Sequence, residues 1–153
     1  MVKLIVAVSL VLSAGTAIAS EKADVMVPVH QFIDGLNKGD AKTAFAACAS
    51  PVSIIDEFPP HQWAGATACA DWANDFDDYN KKYRITDPIV TIGRPRHVDI
   101  TGDRAYIVLP ATYSFERNGK KVTESGATMT VALQKGADGW RMTGWAWSQG
   151  TER

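Results

Sequence analysis

Near Pro88 the hydrophobic pattern of this chain changes period, and that change leaves few architectures open. Before it, apolar residues recur at helical spacing. Val29, Phe32, Ile33 and Leu36 fall at i, i+3, i+4 and i+7, and Cys69, Trp72, Phe76, Tyr79 and Tyr83 form a second stripe. After it, apolar and polar residues alternate along Ile89 to Ile100, Arg104 to Glu116, Lys121 to Gln134 and a last, Trp-rich stretch. Helices followed by an antiparallel meander predict an α+β domain, with three N-terminal helices packed on one face of a curved sheet.

Local signals set the expected boundaries. Asp24 caps a first helix with Pro28 in its first turn; Gly39 ends it, and Asp40 caps a short second helix running through Cys48. Ser50-Pro51 breaks that helix, a short strand follows from Val52 to Asp56, and Pro59-Pro60 forces a turn. A third helix spans about Ala66 to Tyr83, with Asp75, Asp77 and Asp78 spread around its wet side rather than gathered as a metal site. Gly93-Arg94-Pro95 marks a bulge or kink, Asn118-Gly119 a tight hairpin, and Gly136 to Gly139 the turn into the last strand.

Near its start the chain of 153 residues carries Lys3, an apolar run from Leu4 to Leu12 and a small-x-small site at Ala17-Ile18-Ala19. This pattern predicts a signal peptide over residues 1–19, a single mature domain over residues 20–153, a periplasmic or secreted location and no membrane insertion after cleavage. In an oxidising compartment Cys48 and Cys69, each placed on the apolar side of a helix, are expected to form a disulfide; two buried thiols are the alternative. The formal net charge is −1, with no basic patch to hold a phosphate backbone, which argues against nucleic acid as a partner. His30, His61 and His97 stand at no metal-ligand spacing, so neither a metal site nor a cofactor is expected.

Strict alternation in the last strand places Arg141, Thr143, Trp145 and Trp147 on one face and Trp140, Met142 and Ala146 on the other. Neither face suits water. One is expected to line a core or pocket and the other to meet a second copy, giving a homodimer through the outer sheet face with Trp140 or Met142 near the contact; Trp140 packing inward is the competing account.

This order of elements, with Asn37-Lys38-Gly39-Asp40 after the first helix, a strand ending in Asp56, a Trp-bearing helix, and meander strands closing on Asp138-Gly139-Trp140-Arg141 and Trp147-Ser148, resembles the nuclear transport factor 2-like superfamily. The match is nearest its SnoaL-like branch, related to ketosteroid isomerases, and covers the whole mature chain. The resemblance implies a cone with a pocket at its wide end, homodimers in many members, a carboxylate base at Asp56 and a pocket-lining Trp147. The family's oxyanion-donating tyrosine falls on Phe32 and its protonated aspartate near Met129 or Thr130, so the donors of the isomerase mechanism are missing at those positions.

Asp56, flanked by Ile54, Ile55 and Phe58, is the candidate base, with Tyr113 and His61 as candidate acids and Glu57 as the exposed member of the Asp56-Glu57 pair. Phe32, Phe58, Trp63, Trp72, Met129, Trp145 and Trp147 are expected to join them around a small-molecule pocket. Reversible binding of a small, mostly apolar ligand is the leading expectation. An isomerase, lyase or dehydratase using Asp56 is the alternative, and an interaction domain with a vestigial pocket the third. A carboxylate alone among aromatics favours binding; one facing a second titratable group favours an enzyme.

Overall fold

The computed structural model describes residues 13–153. The charged start and apolar run of the expected leader lie outside the described residues. Helix α1 (Ser13–Asn37) passes through the expected cleavage point without interruption, so it begins well before Asp24, and Pro28 sits inside it. Its buried face is the one the period predicts: Val25, Val29, Phe32 and Ile33. Among the described residues no helix is long and apolar enough to cross a membrane.

Asp40 caps α2 (Ala41–Ala46), accepting from Thr43 N, as expected. The helix then stops two residues short of Cys48. That cysteine opens strand β1 (Cys48–Ile55), which runs through Pro51 and pairs in parallel with the last long strand. Pairing of the flanking residues overrides the helical spacing read from Phe45 to Cys48. A short strand, β2 (Gln62–Gly65), pairs back on β1 where a loop was expected. Helix α3 (Ala68–Tyr83) carries the aromatic stripe and ends on Arg84 in the left-handed conformation. Asp77 and Asp78 are exposed beside Lys81.

Cys48 and Cys69 are joined by a disulfide with Cα atoms 6.8 Å apart, tying the start of β1 to the first turn of α3. The bond points to a compartment outside the reducing cytoplasm.

The remaining strands are β3 (Ile85–Ile92), β4 (His97–Thr101), β5 (Arg104–Arg117), β6 (Lys120–Gly136), β7 (Gly139–Ser148) and β8 (Thr151–Glu152). The sheet order is β2-β1-β7-β6-β5-β3, with β4 also on β5 and β8 on β6. The kink expected at Gly93-Pro95 is a full break, so that β3 and β4 share one edge of β5. Asn118 and Gly119 both have positive φ, the tight two-residue turn their pairing predicts.

Two irregularities decide which side chains face the helices. Pairing of β6 with β7 shifts between Ala132/Gly144 and Leu133/Met142, leaving Thr143 as an extra residue. The bulge reverses the alternation. Trp140, Met142, Trp145 and Trp147 therefore all share the inner face, and Trp140 and Met142 are buried. The expected two-faced strand is thus corrected: Trp140 and Met142 belong to the core, not to an outer contact. The second shift, between β5 and β6, leaves Gly126 as the extra residue at φ +79°. Beyond it Glu124, rather than Ser125, turns inward.

Candidate active site

The inner face of the sheet and the inner faces of α1 and α3 enclose a cavity of about 210 Å³. Phe32 enters from α1, Trp72 and Phe76 from α3, Phe58 from the turn after β1, Tyr113 and Phe115 from β5, Met129 from β6, and Trp145 and Trp147 from β7. The rings interlock. Trp72 stacks on Phe76 at 5.3 Å and meets Trp145 edge-on at 5.0 Å, while Phe32 packs 5.7 Å from Trp145. Asn37, at the end of α1, clamps that helix to β3: its amide donates to Val90 O and accepts from Val90 N, at 2.8 and 2.9 Å.

Asp56 closes β1 and projects into this apolar wall. Its Oδ2 accepts from Trp72 Nε1 at 2.8 Å and its Oδ1 from Glu57 N at 2.7 Å. Burial outweighs these bonds and lifts its pKa to about 6. Glu57 also lines the cavity, half-buried, which corrects its expected placement on the exposed side. Burial, then the charges of Glu124 and Asp56, push its pKa to about 8.

Glu124 is fully buried and was not anticipated. Its Oε1 accepts from Gly150 N at 2.8 Å and Trp147 Nε1 at 3.2 Å. Oε2 of Glu124 and Oε2 of Glu57 are both buried with no donor. A hydrogen bond between two carboxyls forms only when one carries a proton, and the nearby Glu124 carboxyl raises the proton affinity of Glu57. Tyr113 lies directly across from Glu124 on β5; burial and the surrounding carboxylates raise its pKa. Its hydroxyl and the Trp145 indole N–H are buried without partners. Alternation counted back from Met129 points Glu124 outward; Gly126 inside a strand was the signal of the bulge that turns it in.

All the expected lining residues converge here except Trp63 and His61. Trp63 packs against Phe58 at 5.0 Å and donates to Asp75 Oδ2 at 2.7 Å, outside the cavity. His61 is exposed in a left-handed turn (φ 72°), with Nδ1 3.2 Å from the backbone oxygen of Asp56, so it braces the turn rather than facing a ligand. Among the described residues no group of three His, Cys, Asp or Glu side chains is arranged to hold a metal ion.

The fold recurs in solved structures. A hexachlorocyclohexane dehydrochlorinase of the LinA type from Novosphingobium barchaimii aligns with TM-score 0.76 at 10% identity, covering 92% of this chain and 93% of that one. A ketosteroid isomerase-like protein from Erwinia carotovora aligns with TM-score 0.66 at 15% identity, covering 84% and 95%. A nuclear transport factor 2-like superfamily protein from Salmonella enterica aligns with TM-score 0.71 at 14% identity, covering 88% and 94%. At these identities the likeness is one of fold. No curated protein matches the chain in sequence. The SnoaL-like domain model matches residues 25–152, and the chain belongs to the SnoaL-like domain family.

Proposed function

We propose that the protein is an isomerase or lyase that moves a proton on a small, mostly apolar substrate, with Asp56 as general base. The observation that carries this is the setting of Asp56: one carboxylate in an aromatic cavity, facing a second acid, Glu57, whose proton affinity is set apart from its own. At neutral pH Asp56 is largely ionised and can accept a proton, whereas Glu57 holds one. The donors missing at Phe32 and Met129 have counterparts elsewhere in the cavity. The unpartnered Tyr113 hydroxyl and Trp145 N–H suit a carbonyl oxygen on which charge develops as Asp56 removes a neighbouring proton. Reversible binding without turnover loses ground, because a site built only to bind an apolar ligand has no use for two buried acids.

A screen of enone and hydroxy-ketone substrates tests this. Turnover by the wild type that Asp56→Asn abolishes supports it. Ligand binding, seen as quenching of Trp145 and Trp147 fluorescence, with no turnover and only weaker binding by Asp56→Asn, overturns it in favour of a binding module.

The Cys48–Cys69 bond and the sequence of residues 1–19 support export by a cleaved leader, which sequencing a mature N-terminus at Ser20 would establish. A homodimer through the outer sheet face would use Ile55 and Tyr106, which are about half exposed there, in place of Trp140 and Met142. Light scattering at micromolar concentration that finds only monomer defeats it.

A further inference from the structure

Resting on the proton-transfer reading above, we propose that Glu57 is the general acid of this site and that the substrate is a β-hydroxy carbonyl compound from which the enzyme eliminates water. Asp56 alone suffices for an isomerisation that returns the same proton. A second acid beside it is needed when a poor leaving group must be protonated as it departs.

Geometry brings the two acids to one site. Asp56 and Glu57 are chain neighbours that both line the cavity, so base and acid reach one substrate. Glu124 is fully buried, with Oε1 held by Gly150 N and Trp147 Nε1, and its Oε2, like that of Glu57, has no donor. Glu57 itself lines the cavity, so its carboxyl can reach a leaving oxygen there. The other charged or titratable groups acting on Glu57 or influenced by it are Tyr113 of β5, Tyr79 of α3 and Glu152 of β8. The cavity's Arg117 is engaged by both oxygens of Glu152, at 2.9 and 2.8 Å.

The step balances. The Asp56 carboxylate takes the proton from the carbon next to the carbonyl, and its C–H electrons form the new C=C bond. The β-carbon–oxygen bond breaks, and Glu57 gives its proton to the departing oxygen, releasing water. Protonated Asp56 then returns a proton to the Glu57 carboxylate through solvent once product leaves.

The test compares two probes that yield the same product, β-hydroxypropiophenone and β-chloropropiophenone, because chloride leaves without a proton. Glu57→Gln is expected to lower turnover of the hydroxy ketone by about a hundredfold or more while leaving the chloro ketone within a few-fold of wild type. Asp56→Asn is expected to abolish both. Equal loss on the two probes in Glu57→Gln, or wild-type elimination of chloride but not water, overturns the acid assignment and spares the base. Wild type inactive on both overturns the proton-transfer reading and this inference with it. An infrared readout needs neither substrate nor turnover. A protonated-carboxyl band present at neutral pH is expected to vanish as pH rises past about 8, and to be missing from Glu57→Gln. No such band in folded wild type defeats the assignment.

Discussion

Trp72 and Asp56, on α3 and at the end of β1, are joined by an indole N–H donated to a carboxylate oxygen at 2.8 Å. The bond opposes the effect of burial on Asp56, so the helix stripe that builds the aromatic wall also favours the ionised form of that carboxyl.

Trp72→Phe keeps a ring against Phe76 and Trp145 but removes that donor. A hydrogen bond to a charged group is worth about 1.5–3 kcal/mol. The substitution should move the acidic limb of the activity or binding profile upward from about 6 by roughly one to two pH units. An unmoved limb in a folded variant would show that the indole does not control Asp56.

Stability should fall as pH rises from about 4 to about 8. The unfolded chain loses the Asp56 and Glu57 protons near their ordinary values of 3.8 and 4.5, whereas the folded protein holds them to about 6 and about 8. Between those limits the folded state binds more protons, so each step up in pH favours unfolding. Glu57→Gln should flatten the upper part of this slope and gain on the order of 1–2 kcal/mol near pH 8, a figure discounted for the solvent that reaches half-buried Glu57. Thermal melts of both proteins between pH 5 and pH 9, on the order of the range these values span, measure it; parallel curves would contradict it.

Replacing Cys48 and Cys69 together with alanine should cost about 3 kcal/mol, because the bond closes a loop between residues 21 positions apart. Chemical denaturation under non-reducing conditions reads the loss. Adding reductant should shift the wild type toward the double variant and leave the variant unchanged.

Gly35→Ala should destabilise the fold by about 1–3 kcal/mol although alanine favours helices. A Cβ there would stand 2.7 Å from Ala44 N and 2.9 Å from Ala44 Cα, both backbone atoms of α2 that can move only with their helix. A melting temperature equal to or above wild type would show that the two helices part at little cost.

The chain by itself determined the passage from helices to a meander of strands, the buried faces of α1 and α3, the cap at Asp40 and the hairpin at Asn118-Gly119. Each depends on neighbours within a few positions, or on the period they impose, and that information is local. Asp56, Tyr113 and most of the aromatic lining were legible for the same reason. Only the tertiary structure decided that Glu57 and Glu124 join Asp56, that Trp140 and Met142 point inward, and that Trp63 and His61 stand outside the cavity. Bulges at Gly126 and Thr143 each add one residue to a strand, and one residue reverses every side chain beyond it. Where such a residue falls is set by the strand alongside, far away in sequence, so strict alternation along one strand assigned Trp140 and Met142 to the wrong face and gave no sign of Glu124.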